Sequence, residues 1–110
     1  MLSDIADSQR LTRGETAIFE CSKSTEPSQT VDLIQVAWYK NQNLLYFHCP
    51  ITKMTTPRFT SKRMRVDVAM PAKLQISDVK KSDEGNYTCD MRTKAGSISK
   101  NWTLIIGAFA

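Results

Sequence analysis

Apolar residues recur at every second position in several short runs of this chain, a period that predicts β-strands rather than helices. Within residues 16–21, Ala17, Phe19 and Cys21 fall on one face and Ile18 and Glu20 on the other. Residues 33–40 repeat the pattern, with Ile34, Val36 and Trp38 expected inward and Gln35, Ala37 and Tyr39 outward. Val66, Val68 and Met70 share a face, Pro71 breaks that run, and Leu74 and Ile76 open the next strand with their side chains inward. Residues 85–92 place Tyr87, Cys89 and Met91 inward, and residues 102–106 form the last strand. Between the runs lie stretches rich in Ser, Thr, Asn, Pro and Gly, at 22–30, 41–43, 77–84 and 95–97.

One segment breaks the alternation. Leu44, Leu45, Tyr46 and Phe47 are apolar at four consecutive positions, so in any regular register two large hydrophobes face away from the core. Exposed apolar area on an edge strand marks either a bent strand packed on both faces or an association surface. Tyr39, Leu45, Tyr46 and Phe47 are the candidate dimer or ligand face.

Cys21, Trp38 and the run Asp83-Glu84-Gly85-Asn86-Tyr87-Thr88-Cys89 resemble the core of the immunoglobulin superfamily. Gly14-Glu15, Trp38-Tyr39, Arg58-Phe59, Leu74 and Ile76 stand in matching order around them. The resemblance implies an all-β, immunoglobulin-like Greek-key β-sandwich in one domain, residues 1–110. It also implies a Cys21–Cys89 bridge between the sheets, with Trp38 and Tyr87 packed in the core. The 68 positions separating the cysteines leave room for the extra edge strands of a V-type domain of about nine strands. Arg58 and Asp83 match the V-type positions of a structural salt bridge at the sandwich base.

Composition adds location and removes chemistry. A loop of that length closed by a disulfide contributes roughly 4 kcal/mol in the chain-entropy model. Such bonds persist in oxidising compartments, so the domain is expected in the extracellular part of a plasma-membrane protein. The sequence shows neither a secretory leader nor a run of about 20 apolar residues, and it reads as an excised ectodomain. The net charge of +4 is modest and the basic residues are not interleaved with aromatics, which argues against nucleic acid. Lys62, Arg63 and Arg65 cluster, and with Lys80-Lys81 they could face an acidic partner.

No enzyme, metal or cofactor is expected. His48 adjoins Cys49, but neighbouring strand residues project to opposite faces, and one histidine with one spare cysteine cannot complete a tetrahedral metal set. Cys49 is the odd thiol, either a buried small side chain or a free or interchain sulfur. Asn86-Tyr87-Thr88 and Asn101-Trp102-Thr103 fit the N-glycosylation pattern, so Asn86 and Asn101 are candidate acceptors.

Residues 97–100 lack the Phe-Gly-x-Gly bulge of rearranged antigen receptors. Leu44-Leu45-Tyr46, Arg58-Phe59-Thr60-Ser61-Lys62-Arg63 and Leu74-Gln75-Ile76-Ser77-Asp78 are similar to the alpha chains of T-cell co-receptors of the CD8 type. That resemblance implies a homodimer docking on MHC class I. The ending Cys89-Asp90-Met91-Arg92-Thr93-Lys94-Ala95-Gly96 is instead similar to adhesion domains of the junctional and virus-receptor kind, which pair through the same sheet. Both readings call for a protein ligand and no small-molecule substrate.

Overall fold

Among the described residues, nine strands form two sheets. A computed structural model describes residues 7–21, 33–67 and 69–107. The strands are β1 (Asp7–Thr12), β2 (Ala17–Glu20), β3 (Leu33–Lys40), β4 (Asn43–Cys49), β5 (Met54–Pro57), β6 (Met64–Asp67), β7 (Met70–Ile76), β8 (Gly85–Thr93) and β9 (Gly96–Gly107). A six-stranded sheet has the order β1-β9-β8-β3-β4-β5, and a three-stranded sheet the order β2-β7-β6. All pairings are antiparallel except β1 with β9. This is the all-β sandwich expected, with β4 and β5 as the two extra strands of a variable-type arrangement. The polar loop at 22–30 and Val68 lie outside the described residues.

The core forms where the inward faces meet. Ala17, Phe19, Leu74 and Ile76 of the small sheet, with Met64 and Val79, bury against Val36, Trp38, Tyr87, Cys89, Trp102 and Leu104 of the large one. The aromatic rings run in a chain, with Phe19 5.0 Å from Tyr87 and 5.2 Å from Trp102, and Trp102 5.6 Å from Trp38. Separations of this size suit offset packing of rings with negative faces and positive edges. Trp38 buries completely only because its Nε1 donates to the carbonyl of Pro71 at 2.9 Å. The Cys21–Cys89 bridge joins the sheets beside it, with 6.0 Å between the Cα atoms.

Two inward assignments differ from simple alternation. The register shifts between Leu33 and Gln35, so Leu33 is buried and Ile34 is only partly covered. A second shift between Val66 and Asp67 ends β6 early, and Met70, expected on the face of Val66, is 53 % exposed. Pro71 does not break the strand there. It sits within β7, buried, its carbonyl engaged by Trp38.

Candidate recognition face

The outer face of the six-stranded sheet is fixed from beneath by a polar corner. Tyr87 is buried, and its hydroxyl donates to the carbonyl of Asp83 at 2.5 Å. Burial raises its pKa well above the usual phenol value, so the group remains a donor. The Asp83 carboxylate, itself buried, accepts Arg63 Nη1 at 2.5 Å, Arg63 Nη2 at 3.1 Å and the backbone N–H of Lys80 at 2.8 Å. Burial alone would raise its pKa. The Arg63 fork, the Lys80 N–H and the charges of Arg63 and Lys40 together outweigh burial and hold it below the ordinary carboxylate value.

Arg58 is therefore not the partner of Asp83. Its side chain is exposed, and it follows β5, where its backbone N–H donates to the carbonyl of Leu45 at 2.7 Å. Arg63 reaches the carboxylate because the turn Ser61–Met64 brings it under the strand end, where Nη1 also donates to the Asp78 carbonyl at 2.9 Å. Engaged this way, Arg63 leaves the basic cluster with Lys62 and Arg65 as its exposed members.

A β-bulge decides which hydrophobes reach the outer face. The β3–β4 turn is tight: Asn41 and Gln42 both have positive φ, 49° and 71°, and Lys40 pairs with Asn43. Tyr39 then pairs with Leu44, but Trp38 pairs with Tyr46, so Leu45 is an extra residue in β4. Leu45 and Tyr46 consequently both turn inward, 1 % and 2 % exposed. Tyr46 stacks on Phe59 at 5.8 Å. Neither belongs to the surface face, against the expectation from the apolar run. Leu44 takes a place there beside Tyr39 and Phe47.

The outer face is laid out in rows. Leu44, Tyr39, Thr88 and Asn101 stand in one; Thr56, Phe47, Ala37, Asp90 and Ser99 in the next; Gln35, Arg92 and Ser97 beyond, with Cys49 and Met54 paired at the same end. Leu44, Tyr39 and Phe47 are each partly exposed, and none belongs to the core cluster. The adjoining hairpin adds Ile51 at 75 % and Met54 at 55 % exposure. Asp90, held by Ser99 Oγ at 2.7 Å, and Arg92 are exposed two positions apart on β8 and border the apolar stripe. Ile51 and Met54 carry no signal in the sequence pattern, and Leu44, part of the apolar run, was not among the residues expected on this face. The turn Asn41-Gln42 was the one signal that could have placed Leu44.

His48 and Cys49 separate as strand geometry requires. His48 lies inward, 7 % exposed, with Nδ1 2.7 Å from Thr55 Oγ1. Cys49 is a partly exposed free thiol on the outer face, and hydrogen bonding from Thr52 lowers its pKa. Asn86 and Asn101 are both exposed on the outer face. Among the described residues no group of three His, Cys, Asp or Glu side chains could hold a metal ion, and no helix is long and apolar enough to cross a membrane.

Sequence comparison assigns the scaffold. Residues 2–106 match the model of the immunoglobulin I-set domain. The chain belongs to that family. It is also 32 % identical over 97 residues to neural cell adhesion molecule L1 of Takifugu rubripes, covering 88 % of this I-set chain and 6 % of the relative. The I-set domain thus spans a small fraction of the curated relative's length. Among solved structures, Tim-1 superposes with a TM-score of 0.73 at 17 % identity over 97 % of each chain. The first Ig-like domain of human CD48 antigen gives 0.73 at 20 % identity, covering 96 % of this chain and 84 % of that one. Murine CEACAM1b gives 0.66 at 18 % identity, covering 89 % and 49 %. Structural likeness at such identity shows the fold alone. The family match is to the I-set where the cysteine spacing suggested a V-type domain, while the sheet order includes the additional β4 and β5 strands which that spacing left room for. The relative is by its name an adhesion molecule, and what the family match brings to this chain is the immunoglobulin I-set scaffold.

Proposed function

We propose that this I-set domain is an adhesion-type recognition module of a cell-surface protein, docking another immunoglobulin-type protein through the uncovered face of its six-stranded sheet. The observation that carries the reading is the stripe of Leu44, Tyr39 and Phe47 continuing into Met54 and Ile51, left on the surface although the same strands bury their other large residues. Apolar anchors inside a polar rim are the arrangement that concentrates binding energy. Here Asp90 and Arg92 supply a rim of both signs. Opposite charges at neighbouring positions make the face self-complementary under a two-fold axis, so a second copy of the chain is the occupant to test first.

Sedimentation equilibrium of the purified domain and its Phe47→Asp variant provides the test. Reversible self-association by the parent and a monomeric variant are expected. A parent that stays monomeric at high concentration removes the homophilic partner, and an equally dimeric variant removes this face. The narrower co-receptor reading, a homodimer on MHC class I, retains Tyr39 and Phe47 but loses Leu45 and Tyr46 to the core. Folded domain that fails to bind immobilised class I molecules rejects it.

A further inference from the structure

The two glycosylation motifs lie opposite each other on β8 and β9. Asn86 pairs with Thr103, Thr88 with Asn101, and between them the middle residues Tyr87 and Trp102 pair with each other. Tyr87 and Trp102 are in the core, 0 % and 6 % exposed, so strand alternation sends both asparagines and both threonines to the outer face. Thr88 Oγ1 lies 2.5 Å from Asn101 Oδ1 and 3.4 Å from Asn86 Oδ1. With both carbonyl oxygens turned toward that hydroxyl, neither Nδ2 has a hydrogen-bond partner among the described residues.

The anchor is stiff as well as open. Asn86 accepts at its carbonyl the N–H of Asn41 at 2.7 Å and donates its own N–H to Asn41 Oδ1 at 3.0 Å. Gly85 permits this approach, since a Cβ there would meet Asn41 Oδ1 at 2.9 Å. Groups attached at 86 and 101 would leave the sheet in a fixed direction. The asparagines are diagonal neighbours, about 7–8 Å apart at the backbone for such pairs. Two sugar chains so placed form one continuous cover.

We infer that Asn86 and Asn101 both carry N-linked glycans, and that this pair masks the Asn41-Gln42 end of the outer face and leaves the Phe47–Met54 end open. In each transfer, Asn Nδ2 forms a bond to C1 of the first sugar of a lipid-diphosphate-linked oligosaccharide. The C1–O bond breaks with its electron pair going to the lipid diphosphate, and the amide releases one proton. An exposed, strand-borne Asn-x-Thr in a domain with an inter-sheet disulfide meets the requirement of passage through a secretory compartment. The masking half of the inference rests on the docking face proposed above, and the occupancy half does not. Sugars would cover Thr88, Asn101, Tyr39 and Leu44, and docking would be confined to Phe47, Met54, Ile51, Asp90 and Arg92.

The test is the chain secreted from eukaryotic cells behind a cleavable leader, weighed intact before and after peptide N-glycosidase. Enzymatic release in heavy-oxygen water, followed by peptide mapping, marks each formerly occupied asparagine as labelled aspartate. Two glycan increments are expected, with label at Asn86 and at Asn101, and one increment in each of Asn86→Gln and Asn101→Gln. An unmodified asparagine at either position in secreted, bridge-intact protein overturns the inference. Hydroxyl-radical labelling of the glycosylated and released forms tests the mask. Tyr39 and Leu44 should label several-fold less when sugars are present, with Phe47 and Met54 unchanged, and equal labelling at Tyr39 overturns that half. Self-association measured on the released form reports on the docking face separately.

Discussion

Replacing Arg63 by Met removes the guanidinium fork while keeping an apolar stem of similar reach, and it isolates the ion pair that fixes the corner under β8. Asp83 would lose both side-chain donors and keep the Lys80 N–H. Its side chain is 3 % exposed and that of Arg63 22 %, so the stranded carboxylate stays buried although its partner was partly solvated. Breaking a buried pair from one side costs about 3–5 kcal/mol. The surviving N–H bond and the partial exposure place this case near the low end, about 3 kcal/mol or roughly 12 °C in Tm for a domain of this size. Arg58→Ala, at an exposed side chain with no ion pair among the described residues, should stay within about 0.5 kcal/mol.

Acidification gives the same claim a second readout. In the parent, the depressed Asp83 pKa contributes stability that is complete above the unfolded value of about 4 and is lost as pH falls through the folded value. In Arg63→Met burial dominates, the folded pKa rises above the unfolded one, and the penalty is felt where the carboxyl is charged. The gap between parent and variant should therefore be widest near neutrality and narrow toward pH 3. Urea unfolding with the disulfide intact, across that range, measures it. A gap under 1 kcal/mol at neutral pH, an Arg58→Ala loss as large as that of Arg63→Met, or a gap that grows on acidification would refute the assignment.

Two smaller perturbations probe the β4 hairpins. Gln42 holds φ at 71°, a left-handed conformation that disfavours a side chain, so Gln42→Gly should stabilise by about 1 kcal/mol in urea unfolding; a loss would mean the side chain contributes more than the strain removes. Cys49 owes its lowered thiol pKa first to Thr52, so Thr52→Val should slow its alkylation at neutral pH and shift the pH–rate profile upward, and an unchanged profile would show that Thr52 does not set its reactivity.

The strands and the core were legible because both rest on period two and on residues with one physical home. Cys21, Trp38, Tyr87 and Cys89 are all within 1 % of complete burial. The site was less legible, because its composition depends on single-residue shifts that alternation cannot register. From the turn at Asn41-Gln42, plain counting sends Leu44 and Tyr46 outward and Leu45 and Phe47 inward. The bulge at Leu45 reverses everything beyond it, so that Leu44 and Phe47 face out and two consecutive apolar residues enter the core. A similar shift exchanges Leu33 for Ile34. The ion pair failed for another reason: Arg58 and Arg63 carry the same fork, and only the fold of the turn at 61–64 decides which lies within reach of Asp83.

These local irregularities give the recognition face its character. Without the bulge, Tyr46 would stand outside and Phe47 would be core, presenting a phenol where the surface now carries a plain ring. With it, Tyr46 moves under the sheet onto Phe59, and Phe47 lies in the row of Ala37 and Asp90, between hydrophobic and charged neighbours. Deleting Leu45 would restore plain alternation with Tyr46 still opposite Trp38 on the inner face and Phe47 still opposite Ala37 on the outer one. A face that depends on Phe47 should then keep its docking, measured by sedimentation of the folded variant, while the domain loses about 2–5 kcal/mol with the buried Leu45 side chain; a folded variant that no longer associates would refute this account of the face.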